Sequence, residues 1–322
     1  MIGFGVQTWG TDVATLERYW AVAEELGFTR VTYGDGLWSF THDGWSMLGA
    51  LAVLTRRVRV GPAVTYAFDA AAHHPSWLAK RAVAIDHLSR GRLDLRFGVG
   101  AEDAAAAAVW RGHGIAYPPG AERIARLAES VDTVRALWRG EPFPRGGGRL
   151  EPPPLQRPGP PVWIAAMRPA ALALVARVAD GWEASYVTPE GFVRRWHRVQ
   201  DRLAEPGRQS ASLARGVELD VALAESPAAA RRALADFCAT RGLGDDHPLA
   251  ATVLAGDPEA VAARIVQSAA AGVTDLMLGF TDFPSPRMLD LFARRVRPRV
   301  AVLMREPVTL RRERRSAIPP AP

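Results

Sequence analysis

The residues of this chain able to do chemistry sit where short apolar runs end. Gln7, Thr8 and Trp9 follow the first run, Asp35 and Trp38 the second, and Tyr66 and Phe68 the third. Gly100, Glu102 and Asp103, then Met167 and Arg168, then Tyr186, and finally Phe280 and Asp282 close later ones. The set is rich in aromatic rings and poor in metal ligands. His73 and His74 are adjacent, and no H-x-H or histidine–carboxylate spacing places a metal. GxSxG, Walker and CxxC patterns are absent, so nothing points to nucleophilic or phosphoryl chemistry. An aromatic, apolar mouth with few acids suits a planar conjugated cofactor whose own ring carries the redox step.

Each residue also has a plainer reading. Trp9, Trp38 and Trp45 can cap a core by burial alone. A carboxylate at a strand end, as Asp35 is, must be solvated or hydrogen-bonded, so it serves either the chemistry or its loop. His73 and His74 precede Pro75 and read equally as helix-entry residues. Gly98-Val99-Gly100 is a tight strand exit that many folds use. Arg168 is more pointed: it precedes Pro169 at a helix start, where backbone amides and the macrodipole attract phosphate.

The elements that position these residues alternate along the chain. Strand-like runs at Ile2–Thr8, Arg30–Tyr33, Val58–Thr65, Leu93–Val99, Pro161–Met167, Trp182–Tyr186, Val217–Leu223 and Thr274–Phe280 are separated by helical stretches. Pro75–Leu88 begins with proline and meets Gly91 just past its end. Glu122–Trp138 has its acids first and its arginines last, matching the helix dipole. Eight strand–helix units in one series, without GxGxxG after the first strand, predict a single α/β (β/α)8 TIM barrel over residues 1–300. The Pro/Gly-dense stretch Glu141–Pro161 is then an extended loop before the fifth strand. Residues 301–322, rich in Arg and Pro, read as a flexible, solvated tail.

Composition sets the outer bounds. The chain has 322 residues, 48% hydrophobic and 23% charged, as an ordinary globular protein has. A formal charge of +6 with acids interleaved among the bases is no nucleic-acid footprint. One cysteine, Cys238, cannot form an internal disulfide and suits a reducing compartment. The start MIGFGVQTWGTD lacks a signal-peptide pattern, and no apolar run is long enough to span a bilayer. A cytoplasmic protein acting on a small molecule, without membrane or nucleic-acid partners, is expected.

Several segments carry a resemblance. HHPSWLAKRAVAIDHLSRGRLDLRFGVG (His73–Gly100) resembles the signature of the luciferase-like monooxygenase superfamily. Gly120–Phe143, Pro161–Trp182 and Gly256–Pro298 agree with it in order and spacing. The resemblance implies an oxidoreductase that binds reduced FMN, for oxygen insertion, or the deazaflavin coenzyme F420, for hydride transfer, with a slight lean to the latter. It implies a phosphate site near Gly98, Gly100 and Ala101 and near Ala166, Met167 and Arg168. Many relatives have paired glycines where this chain reads Ala165-Ala166-Met167. In the deazaflavin branch a non-proline cis peptide props the ring, which here is the Ala63–Val64 bond. Asp35 and His74 are the implied catalytic pair, with Trp9, Trp38 and Tyr66 as substrate wall. Many relatives follow the strand-two acid with histidine, whereas here Asp35 is followed by Gly36, leaving His42 or His74 to supply an imidazole. A homodimer and, with FMN, a separate flavin reductase are the implied partners. The competing reading is a non-catalytic flavin-binding barrel or inert partner subunit.

Overall fold

The computed structural model describes residues 2–37, 41–69, 72–204, 209–244 and 247–305. Its strands are β1 (Gly3–Thr8), β2 (Arg30–Tyr33), β3 (Arg59–Pro62), β4 (Leu95–Gly98), β5 (Val162–Ala165), β6 (Gly181–Ser185), β7 (Ala214–Leu223), β8 (Leu254–Gly256) and β9 (Asp275–Phe280). Every pairing is parallel, in the order β3-β2-β1-β9-β7-β6-β5-β4. Parallel bridges Val60–Leu93 and Thr65–Phe97 join the two ends, so eight strands close into the expected barrel. The short β8 pairs with the far end of β7 alone and was not anticipated from the sequence.

Side-chain alternation gives each barrel strand an outer face for the helices and an inner face for the lumen. On β1, Phe4 and Val6 face outward, and Phe4 meets Phe292 of the last helix at 5.3 Å between ring centroids. The lumen is charged rather than aliphatic. Arg30 of β2 bonds Asp94 at 2.6 Å and Asp275 of β9 at 2.9 Å, while Arg59 of β3 reaches Asp94 at 2.6 Å. Arg96 of β4 pairs with Glu183 of β6. Trp163 lies between two of these cations, with the Arg30 and Arg96 guanidiniums each 4.9 Å from its ring centroid. Burial alone would raise the Asp94 carboxyl, but Arg30 and Arg59 beside it outweigh that and hold it below its ordinary value. The indole needs a flat neighbour: a Cβ at Gly181 would stand 2.2 Å from Trp163.

Polar side chains also tie the long loop to the barrel. Buried Asp86 accepts from the Leu155 and Gln156 backbone amides at 2.7 and 3.0 Å and from Gln156 Nε2 at 2.8 Å. Arg92 donates to the Ala52 and Thr55 carbonyls, stapling the helix Gly44–Leu54 to the strand that follows. The last helical stretch runs through Arg287–Leu291, a π turn at Phe292–Val296 and Arg297–Arg305. Residues 301–305 are therefore helical, and the boundary expected at 300 falls inside this helix. Residues 306–322 of the expected tail lie outside the described residues.

Candidate functional site

At the C-terminal mouth of the barrel a cavity of about 920 Å³ opens between the ends of β3, β4 and β5 and runs inward to β6 and β7. It lies within the size range of small-ligand sites. A larger groove of about 1110 Å³ lies elsewhere, lined by Val22, Ala229 and the stretch Ser285–Met288, and it gathers none of the cofactor-binding residues expected above.

One wall comes from β3 and β4. Ala63, Val64 and Tyr66 line it, and the Ala63–Val64 peptide is cis. Gly98 lets the strands approach, since a Cβ there would stand 2.4 Å from Val64 Cγ2. The opposite wall is Ala165, Ala166 and Met167. Tyr66 is backed by Phe68 and Trp110 at 5.5 and 5.4 Å, and burial pushes its phenol well above the ordinary value.

The rim carries the features expected to attract an anion. Arg168 is the N-cap of the helix Pro169–Val178 and makes no side-chain cap bond, so that helix leaves its first amides free of a side-chain acceptor. Its guanidinium is largely exposed and stands 3.6 Å from Glu102. The facing loop Gly98–Glu102 is held by Arg123, which donates to the Val99 carbonyl at 2.8 Å and the Ala101 carbonyl at 3.1 Å. The Tyr117 hydroxyl donates to the Ala101 carbonyl as well, at 2.5 Å. Gly100 adopts φ +84°, and a Cβ there would meet the Tyr117 hydroxyl at 2.6 Å, so glycine is required twice over.

The inner end is polar, which corrects the expectation of a mouth with few acids. Gln7, Glu183, Ser185 and Glu218 line it. Glu183 is occupied by Arg96. Glu218 accepts from the Tyr186 hydroxyl at 3.3 Å. Its carboxyl is raised by desolvation and by the Glu183 charge, against bonds from Ser185 and Gln7 that pull it down. Two residues along β7, Asp220 is 5% exposed and desolvation lifts it to about 6, although Arg241 stands 3.9 Å away. Sequence reasoning had not singled out Glu183, Glu218 or Asp220. For Glu218 and Asp220 the signal was the alternation in VELDVAL, where Val217, Leu219 and Val221 take the helix face and the two acids the lumen.

The expected catalytic pair is not assembled as anticipated. Asp35 is buried, and its Oδ2 lies 3.6 Å from Nε2 of His73, not His74. Asp35 Oδ2 and His73 Nδ1 are both buried without a hydrogen-bond partner. His74 instead caps the helix Pro75–Leu88, its Nδ1 accepting from Ser76 N at 3.2 Å and its ring 5.6 Å from Phe143. The His74 Nδ1 is thus committed to a helix cap, and the imidazole that the structure brings beside Asp35 is that of His73. His42 is tied to the Thr11 carbonyl at 3.0 Å. Trp9 stands at the mouth between Phe283, at 4.7 Å, and Gly279, outside the cavity lining. Trp38 lies outside the described residues. Ala63, Val64, Tyr66, Gly98, Gly100, Ala101, Ala166, Met167 and Arg168 are all brought together around the cavity. Among the described residues no group of three or more His, Cys, Asp or Glu could hold a metal, and no helix is long and apolar enough to cross a membrane.

Residues 4–248 match the family described as luciferase-like monooxygenase. A phthiodiolone/phenolphthiodiolone dimycocerosates ketoreductase of Mycobacterium bovis is 31% identical over 183 residues, covering 53% of this chain and 45% of that protein. An F420-dependent glucose-6-phosphate dehydrogenase of Beutenbergia cavernae is 33% identical over 180 residues, 52% of this chain and 51% of that protein. The chain thus spans about half the length of the curated relatives it matches. Among solved structures, the coenzyme F420 dependent tetrahydromethanopterin reductase of Methanopyrus kandleri superposes with a TM-score of 0.77 at 19% identity. That match covers 92% of this chain and 99% of that one, a likeness of fold.

Proposed function

The chain belongs to the luciferase-like monooxygenase family, and from that premise we propose that it is a deazaflavin-dependent oxidoreductase acting on a small organic carbonyl or alcohol. The observation that carries the choice is the polar inner end of the cavity. Gln7, Ser185 and Glu218, the last bonded from behind by the Tyr186 hydroxyl, offer proton donors and acceptors to a reacting oxygen. Oxygen insertion with FMN calls for a dry, apolar interior, and that reading is second.

The residues present fit a ring with an anionic side chain. Ala63, Val64, Gly98, Ala165 and Ala166 form a slot of small side chains, while Gly100, Ala101, Met167 and Arg168 meet the open helix N-terminus. Arg195 lies within reach of the Arg168 charge: burial first, then the charges of Arg194, Arg198 and Arg168, disfavours its own, and its Nε is buried without a hydrogen-bond partner. A bound deazaflavin supplies or accepts the hydride. The protein's own contribution is to hold the ring between the two walls, to neutralise its anionic tail at the rim and to orient the substrate oxygen toward the acids within. Asp35, 3.6 Å from His73, lies near enough to Tyr66 for its charge to oppose ionisation of that phenol. A cytoplasmic setting accords with the single buried thiol of Cys238.

The test is anaerobic titration of the protein with reduced FMN and, separately, with coenzyme F420, followed by fluorescence. Tight binding of F420 and not FMN is expected. Binding of FMN alone reverses the order of the two readings, and binding of neither leaves the inert barrel.

A further inference from the structure

We propose that Glu102 sets the charge of the phosphate this mouth accepts, admitting a singly charged phosphodiester and opposing a doubly charged phosphomonoester. The inference rests on the cofactor-binding function proposed above and names the residue of this chain that chooses between the two cofactor classes. The charges lining the outer cavity carry it. Among the described residues Arg168 is the cation of that lining, and Glu102 and Asp103 face it from the loop after β4. Glu102 Oε2 stands 3.6 Å from Arg168 Nε, with both side chains more than half exposed. Arg168 thus has a counter-charge before any ligand arrives. Asp103 cannot turn away, because it caps the helix Ala104–Gly112, its Oδ1 accepting from Ala106 N at 2.7 Å. Glu102 is confined on one side by the start of the helix Gly120–Trp138, where a Cβ at Gly120 would stand 3.1 Å from its Oε1. The loop beneath both acids is fixed by Arg123, whose guanidinium lies 4.3 Å over the Tyr117 ring and is spent on the Pro118, Val99 and Ala101 carbonyls. Burial first, then the charges of Asp103 and Glu102, push the Tyr117 phenol up against the pull of Arg123.

Local charge then decides the ligand. Arg123 and Arg168 balance Asp103 and Glu102, which leaves the amides of the helix Pro169–Val178 as the remaining pull on an anion. Arg195 stands within reach of Arg168 but outside the lining, its Nη1 given to the Gly191 carbonyl at 2.9 Å. One negative charge suits such a mouth. A second meets Glu102 without a further lining cation to offset it. A phosphomonoester carries close to two charges at pH 7, and a diester carries one. FMN ends in a monoester, whereas the phosphate of the deazaflavin is a diester, with its glutamate carboxylates farther out along the chain. Water screens charges as exposed as these, so the discrimination is about twofold to fivefold.

Phenyl phosphate and its methyl ester share a ring and differ by that second charge, and ligand-observed NMR at pH 7.5 and low salt measures their binding to the free protein. The wild type is expected to favour the diester by about twofold to fivefold. Glu102→Gln should gain monoester affinity until the two esters are alike, whereas Glu102→Asp keeps the preference. The preference should also fade as salt is added, which a merely structural role of Glu102 would not produce. Equal binding of the two esters to the wild type, a monoester preference, binding of neither, or a preference untouched by Glu102→Gln overturns the proposal. In the cofactor titrations Glu102→Gln should raise the affinity for FMN more than that for F420, and an equal rise overturns it as well. Failure of the wild type to bind either cofactor rejects the function proposed above, while the ester pair still reports on Glu102, so the two failures are told apart.

Discussion

Replacing Asp220 by asparagine should make the protein more stable at neutral pH, and the gain should vanish in acid. Desolvation raises this carboxyl from an ordinary 3.8 to about 6 in the folded chain. Below 3.8 both folded and unfolded chains keep the proton, so the wild-type protein bears no penalty. Between 3.8 and about 6 the unfolded chain ionises first, and stability falls as pH rises. Above about 6 both forms are ionised and the whole penalty stands. A shift of about two units corresponds to roughly 3 kcal/mol, since one unit is about 1.36 kcal/mol. Asparagine keeps the shape without the charge. Arg241 loses its partner at 3.9 Å, but its side chain is 41% exposed and water replaces the contact. Urea titrations of both proteins at pH 4 and pH 8 measure the difference directly. The Asp220→Asn variant is expected to gain about 1–3 kcal/mol at pH 8 relative to its effect at pH 4. A difference that is flat between the two pH values, or larger in acid, would refute the claim that desolvation dominates at this position.

Other outcomes follow from the lumen and the rim. Arg30→Met leaves buried Asp94 with one cation fewer and Asp275 without its partner at 2.9 Å, and should cost about 3–5 kcal/mol in the same urea assay. Adding Asp94→Asn to that variant should recover part of the loss. Gly181→Ala places a Cβ 2.2 Å from Trp163; overpacking should cost about 1–3 kcal/mol and alter the near-UV circular dichroism of the indole. Arg168→Ala, at a largely exposed rim position, should weaken F420 binding by only about twofold to fivefold, a loss that shrinks as salt is added.

Much of the fold was legible because its causes are local. Asp12, Asp43, Asp103 and Asp257 each accept from a backbone amide three residues on and start a helix. Pro75, Pro169, Pro227 and Pro258 stand in first turns, where a missing amide proton costs nothing. The residues around the cavity rim came instead from the family resemblance, with only the helix start at Arg168 readable locally. Gly98 to Ala101 and Ala166 to Arg168 are each consecutive, and a strand end followed by a helix start brings them to the barrel mouth wherever the strands close. The short β8 was missed because three residues, Leu254–Gly256, carry no period to read.

The amino-acid sequence by itself determined the order of strands and helices, the side of each strand that faces the helices, and which loops reach the mouth. Those follow from alternation, caps and turns within a few residues of each other. Only the tertiary structure decided which imidazole meets Asp35, because His73 and His74 are equivalent by position until one ring is spent on a helix cap. It alone decided that Glu183 pairs with Arg96 and that Glu218 accepts from Tyr186, since those partners depend on which side chains from different strands share a layer. Charge in a closed barrel is settled by neighbours across the lumen, and a strand carries no local mark of who those neighbours are.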